Sequence, residues 1–477
     1  MEVTSGNFDE TLPLIREALD ECTFWAFDTE FTGLSLSGKP TDSLDTMEER
    51  YEKHVLGAKN FLVIQVGLST FRLERNKWVS KTFNFYVFPS TVKGQDKRFT
   101  CQASSISFLA SHGFDFNKFI HHGIPFLPLQ TVEKLLAQTE LQRQRDPIVI
   151  TSEVDRKFVA ELKDRVGAWW LHAEDDDRLL LPPCNSYQRA VSYQVLEEMQ
   201  LLLAGQSGIL VEKVEAEGGK VQLQVVRTHI EAVQAAKARE KQQKRMELIR
   251  STGFSQVFRM LKTCRKPGVG HNCLLDLMYC VEQFDQPLPA TWQECRQVVA
   301  EAFKAGIYDT SHMARSAQFA DLFKGSSALE HVYSTMLEAE RLAPVEHAEG
   351  FPLYRSAEGS RAHEAGYDAF MTGTAFAKLL AHLAASGVPE LCKEDEDEEH
   401  LVPQGPLIST DAAAGFKDRI NVHGSDVPYA ALRGVQPHPE RSHVLCLTQL
   451  PLRTPWSAIR EKCVAAGVQV ARLCAKR

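Results

Sequence analysis

The sequence predicts an α/β protein built on a mixed sheet and interrupted by a smaller α+β insertion. Three observations lead there. The opening reads helix, strand, strand, strand, and those strands are apolar over most of their length. Between about residues 150 and 230 polar helices are followed by two short strand-like runs, the pattern of a small unit inserted into a larger one. From Gly253-Phe254 onward the apolar α/β character of the opening returns.

Taken in order, Phe8, Leu12, Ile15 and Leu19 recur at helical spacing behind Asn7, a suitable cap. The apolar run Phe24-Trp25-Ala26-Phe27 continues into Asp28-Thr29-Glu30-Phe31 as the first strand. Residues 35–58 are polar and end in a charged helix around Met47 to Leu56. Strands follow at residues 61–68 and 82–89, then helical pieces at residues 104–112 and 114–121. Polar helices are predicted over residues 131–146, 153–172 and 186–203, and strand-like runs over 209–214 and 220–227. Residues 230–250 read as a solvated helix with a basic run from Lys237 to Arg245. A connector fits it best, ahead of a localisation signal or an RNA-facing surface. Helices over 254–263 and 272–284, a strand near 305–309 and a helix over 363–383 complete the second half. Lys393 to Glu399 is an acidic low-complexity linker. The tail offers strands at 443–447 and 468–471 around a helix over 456–466, a β-α-β start with no second half.

Composition narrows the function class. The 477 residues are enough for two to four domains, and an apolar fraction of 44% with 24% charged residues is ordinary for a globular chain. A net charge of −8 argues against a generally basic nucleic-acid coat, although one basic groove would suffice for an enzyme. The eleven cysteines include no Cys-x-x-Cys pair, which excludes a zinc ribbon and fits free thiols in a reducing compartment. With a polar, acidic amino terminus and no apolar run long enough to cross a bilayer, the expectation is a soluble intracellular protein without membrane contact.

The chemistry concentrates in acids far apart along the chain. On a strand, residues i and i+2 share a face, so Asp28 and Glu30 project side by side and repel unless a cation lies between them. Gly270-His271-Asn272-Cys273-Leu274-Leu275-Asp276 adds a third carboxylate on an apolar segment, and His363-Glu364-Ala365-Gly366-Tyr367-Asp368 adds an imidazole and a fourth. Hard Mg²⁺ or Mn²⁺ favours carboxylate ligands, and two such ions stabilise the attacking and leaving oxygens of a phosphodiester. A histidine titrating near neutrality suits the base that activates water. Asp28, Glu30, Asp276 and Asp368 thus form a candidate two-metal cage with His363 as base. His363 and Asp368 are expected on early turns of one helix.

The order Asp-x-Glu, then Asp, then His-four residues-Asp is similar to the signature of the DEDD exonuclease superfamily in its histidine-bearing branch. The stretches FWAFDTEFTGL, FNFYVFP, CQASSISFLASHGFDFNKFIHHGIPF, VGHNCLLDLM and HEAGYDAFMTG resemble the poly(A)-specific ribonuclease family across nearly the whole chain. The resemblance implies a ribonuclease H-like core over 1–150 and 251–390. It also implies a single-strand-binding insertion of the Arg-x-x-x-His type over 151–230, with a connector helix at 231–250, the linker at 391–417 and a partial RNA-recognition-like segment at 418–477. In the insertion motif Tyr193 stands at the histidine position after Arg189; a tyrosine still stacks on a base, and a structural place in the insertion's core fits it at least as well. The implied activity is Mg²⁺-dependent 3′-to-5′ removal of poly(A) tails as 5′-AMP. The resemblance also implies single-stranded RNA as the partner, a homodimer formed through the nuclease domain, and a place in nucleus and cytoplasm. Phe31, Leu34, Ile106 and Phe108 would line the path of the last nucleotides, although all four would serve equally as core. Lys324 is the candidate phosphate contact, in a stretch whose spacing departs from the family pattern, and Asp309 would support the ligands from behind. No tryptophan stands where the family's cap contact falls, so cap binding is doubtful. Two alternatives remain at this level: a trimmer of small non-coding or piRNA-precursor 3′ ends, and an inactive RNA-binding scaffold. The intact acid set argues against the second.

Overall fold

The computed structural model describes the chain apart from residues 37–39, 76, 91–95, 141–147, 203–205, 217–219, 339–343, 355–360, 387–410, 443–453 and 467–477. The acidic run 393–399 and the strands expected at 443–447 and 468–471 lie outside the described residues.

Strands β1 (Glu2–Val3), β2 (Phe24–Phe31), β3 (Val63–Glu74), β4 (Lys77–Pro89) and β5 (Ile124–Phe126) come from the first part of the chain. Strands β6 (Arg178–Leu180), β7 (Ser207–Ala216) and β8 (Lys220–His229) form a separate sheet, and β9 (Gly268–Gly270), β10 (Ile307–Asp309) and β11 (Val345–His347) return to the first. The main sheet runs β1-β4-β3-β2-β9-β10, with β5 and β11 also on β4. Its middle, β2-β3-β4, is antiparallel, while β9 joins β2 and β10 joins β9 in parallel. β3 is buried over most of its length, as a central strand covered on both faces must be.

Alternation along β2 sorts the two faces. Trp25 and Phe27 enter one apolar cluster with Leu277, Phe258 and Phe284, whereas Phe24 and Ala26 enter another with Phe71, Trp78 and Phe376. Asp28 and Glu30 continue the Phe24/Ala26 face. Across that face lies the Ala365–Ser386 helix, apolar on nearly every side and buried accordingly. Two glycines allow the close approach. A Cβ on Gly67 would lie 1.8 Å from the Ala365 carbonyl oxygen, and one on Gly373 would lie 2.0 Å from the Phe71 ring.

The expected insertion has its own three-stranded sheet, order β6-β8-β7, and helices Glu153–Trp170 and Ser186–Leu202. Leu162, Val166, Val191, Val195, Leu223 and Val225 make a core of their own there. Tyr193 is 37% exposed rather than part of that core. The Ile230–Thr252 helix is largely solvated and anchors at its end, where Leu248 meets Leu127 and Val132.

Four expectations need correction. The helix foreseen over 272–284 is α-helical only over Leu274–Cys280 and becomes a π-helix over Val281–Asp285. His363 is not helical: its φ is 69° and the helix starts at Ala365. The tail boundary lies later than 418, because residues 1–437 form one compact unit and 438–477 another. Asp418 donates its N–H to the Ile307 carbonyl at 2.7 Å, its carboxylate accepts from the Ile307 N–H at 3.1 Å, and Ile420, Val422 and Leu432 enter the main core. Residues 411–417 are likewise not linker, since Ala413 and Phe416 pack in the second cluster. The second unit, described by itself, contains the Trp456–Ala465 helix. Among the described residues no helix is long and apolar enough to cross a membrane.

Gly67→Ala is expected to lower unfolding free energy by about 1–3 kcal/mol, the usual cost of overpacking. A urea-denaturation midpoint equal to wild type would show that strand and helix separate without cost.

Candidate active site

The local frame begins with β2. Asp28 pairs across the sheet with Gly67, and Glu30 with Gln65. With no side chain at Gly67, the start of the Ala365–Ser386 helix drops onto the sheet beside Asp28. Two polar side chains within apolar stretches of β3 and β4 then hold the helix's free N–H groups. Gln65 Oε1 accepts from the Ala365 N–H at 2.9 Å, and Asn84 Oδ1 accepts from the Gly366 N–H at 3.0 Å. Asn84 Nδ2 and the Tyr354 hydroxyl both donate to Glu364 Oε1, at 3.0 and 2.8 Å. Asp368, in the first turn of that helix, reaches back to accept the His363 N–H at 3.2 Å.

Asp276 arrives from the opposite face. β9 pairs with β2 only at Trp25 and Ala26, so the edge of β2 beyond that point is open. The Leu274–Cys280 helix fills the gap, and the Thr29 hydroxyl donates to Asp276 Oδ1. The turn into that helix is fixed by Asp309, which is fully buried. Its carboxylate accepts five backbone N–H groups, from Asn272, Cys273, Ser311, His312 and Asn421, at 2.9–3.1 Å. Asn272 takes φ 54°, a conformation that asparagine tolerates better than most residues, and Asn421 Nδ2 donates to its Oδ1 at 2.8 Å.

Carboxylates from three segments thus meet with an imidazole beside them. Ligand atoms of Glu30, His363 and Asp368 lie within 4.8 Å of one another. Burial, then the carboxylates of Asp368, Asp276 and Glu30, push the Asp28 carboxyl well above the usual range. Glu30 is raised by burial and by Asp368 and Asp276. Burial raises Asp276 to about 6 and Asp368 to about 7, against their hydrogen bonds. Among the described residues no lysine or arginine forms an ion pair with any of the four. Oxygen donors that repel one another and lack a basic partner fit hard divalent cations. The His363 imidazole is shifted below its ordinary value, chiefly by burial and then by His112, so it is neutral and able to accept a proton near pH 7.

The five expected site residues are therefore brought together. Of the expected RNA contacts, Phe108 lies against His363 with ring centroids 4.7 Å apart and is 44% exposed. Leu34 is 46% exposed, and its N–H donates to Gln102 at the start of the Ala103–Ser111 helix. Ile106 is half-buried, and Phe31 is half-buried against Tyr279 at 4.4 Å. Lys324 is exposed at the end of the Ala320–Phe323 helix, and among the described residues no hydrogen bond or ion pair ties it to the acids. Sequence reasoning missed Gln65, Asn84, Thr29 and His112. The lone Gln and Asn within apolar strands were the available signal for the first two.

Asp309→Ala strands five buried donors and is expected to destabilise the fold by more than about 3 kcal/mol in chemical denaturation. The raised carboxyls also give a signed pH dependence in metal-free protein. Unfolded carboxyls titrate near pH 4, so the folded state keeps protons that the unfolded state has lost. The stability that Asp276 and Asp368 contribute is complete below about pH 4 and is lost as pH rises through about 7. Thermal midpoints in chelator should fall less over that window for Asp368→Asn than for wild type; parallel curves would contradict the shift.

Residues 3–376 match the family described as CAF1 family ribonuclease. The chain is 33% identical over 472 residues to poly(A)-specific ribonuclease PARN of Bos taurus, covering 94% of this chain and 71% of that protein. It is 30% identical over 465 residues to poly(A)-specific ribonuclease PNLDC1 of Mus musculus, covering 94% and 82%. Among solved structures it is similar to the Mg²⁺- and Mn²⁺-bound form of S. pombe Pop2p, with a TM-score of 0.38 and 14% identity over 81% of this chain and 94% of that one. The mixed α/β sheet expected from the sequence is present. With that sheet and a family match spanning most of its length, the chain belongs to the CAF1 family of ribonucleases.

Proposed function

We propose that this ribonuclease removes nucleotides from the 3′ ends of poly(A) tails of messenger RNA, releasing 5′-AMP by metal-assisted hydrolysis. The observation that carries the reading is the convergence of Asp28, Glu30, Asp276 and Asp368, with no basic side chain in an ion pair with them among the described residues and ligand atoms of His363, Glu30 and Asp368 within 4.8 Å of one another. The adenine preference draws on the curated relatives, both named poly(A)-specific ribonucleases.

Asp28, Glu30, Asp276 and Asp368 would hold two divalent ions, Mg²⁺ or Mn²⁺, which would make the attacking water more acidic and offset charge on the phosphoryl group. The chain's own residues do the rest. Asp28 and Glu30 are fixed by the sheet, Asp368 by the first turn of its helix and its bond to the His363 N–H, and Asp276 by Thr29. The neutral His363 imidazole accepts the proton of the attacking water. Phe108, in contact with His363, presents an exposed apolar ring for a terminal base, and Phe31, Leu34 and Ile106 are the further residues proposed to line the path of the last nucleotides.

Asp28→Asn and Asp276→Asn should each lower hydrolysis by more than about 100-fold while leaving the fold intact, and in chelator should raise the thermal midpoint by relieving repulsion. The direct test is a time course on 5′-labelled A-tailed and mixed-sequence RNA with Mg²⁺ or with chelator. One-nucleotide steps from the 3′ end, faster on A-tailed RNA and absent in chelator, are expected. Equal rates on both RNAs would replace deadenylation by general 3′ trimming, and wild-type activity in Asp28→Asn would refute the site.

A further inference from the structure

His363 is the one proposed active-site group whose side chain its own element does not fix. It precedes the Ala365–Ser386 helix at φ 69°, and the bond to Asp368 holds only its backbone N–H. The ring is held from elsewhere. Its centroid lies 4.4 Å from the His112 ring and 4.7 Å from the Phe108 ring, both edge-on at 73° and 71°. Phe108 and His112 in turn touch at 4.3 Å. They are four residues apart, on one face at the end of the Ala103–Ser111 helix, where a turn places i and i+4 together. His112 is itself fixed, because its Nδ1 lies 2.8 Å from the Phe108 carbonyl oxygen. A carbonyl only accepts, so Nδ1 carries the proton and the ring cannot turn without losing that bond. Both His112 and Phe108 stay exposed, so hydrophobic burial does not explain the cluster.

We infer that His112 is a positioning residue: with Phe108 it forms a two-ring saddle that holds the His363 imidazole at the acids. The inference rests on the reading of His363 as the base. It assigns His112 no contact with the reacting atoms. A base displaced by even an ångström loses much of its effect, so loosening the saddle lowers turnover rather than binding.

The test uses the full chain with A-tailed RNA and Mg²⁺. His112→Ala should lower kcat about tenfold with KM within about twofold of wild type, while His112→Phe, which keeps a ring in place, restores most of kcat. Ring-proton resonances of His363 in histidine-labelled protein should shift in His112→Ala and return toward wild type in His112→Phe, and thermal midpoints of all three should agree. An unchanged kcat with unmoved His363 resonances overturns the proposal. A rise in KM alone also does, marking His112 as an RNA contact, and so does a Phe variant as slow as the Ala variant. His363→Ala serves as the separate control. Wild-type activity there sinks the base assignment, and the resonance shift still decides whether His112 holds the ring.

Discussion

Mutual repulsion among four carboxylates is the constraint on which the rest of the site depends. Asp28, Glu30, Asp276 and Asp368 are gathered where burial and proximity disfavour their charged forms, and among the described residues no basic side chain pairs with them. Left to themselves such groups would separate or take up protons. They stay together because each is carried by an element that is fixed for other reasons. On the proposed reading such a site is prepared for cations at the expense of stability without them, a local cost that enzymes commonly bear where chemistry happens.

The scaffold that enforces this is made of contacts with no charge chemistry of their own. Gly67 and Gly373 let a buried helix lie against the sheet, Gln65 and Asn84 satisfy its first N–H groups, and Asp309 collects five backbone donors at the turn behind Asp276. Asp309 is an acid of a different kind from the other four. Its charge is met by N–H dipoles on several sides, so it belongs to the architecture and not to the cage. The three-ring group of Phe108, His112 and His363 extends the same logic to the imidazole, which has no rigid element of its own.

Family membership and site geometry support each other without being the same observation. The match to CAF1 family ribonucleases places the chain among enzymes that cleave RNA. The geometry explains how such a chain would do so, and it would point to divalent cations even without relatives. The proposed adenine preference is where the two part company: it draws on relatives, while the exposed Phe108 supplies only an apolar ring against His363.

The sequence by itself determined the acids and the strands that carry them. Asp28 and Glu30 two residues apart on an apolar strand, Asp276 on an apolar segment and Asp368 after a histidine are all local patterns, set by the two-residue period of a strand and the composition of a helix face. The tertiary structure alone decided how they meet. The Gly268–Gly270 strand is too short to alternate, and the helix expected over 272–284 changes to a π-helix at Val281 because tertiary packing sets its course. His363 leaves the helix for a left-handed turn, and residues 418–437 join the nuclease because Asp418 binds β10. The hydrogen bonds that Asp309, Asn84 and Gln65 accept from Asn272, Gly366 and Ala365 span 37, 282 and 300 positions along the chain, and no local period can encode a contact whose partner is that far away.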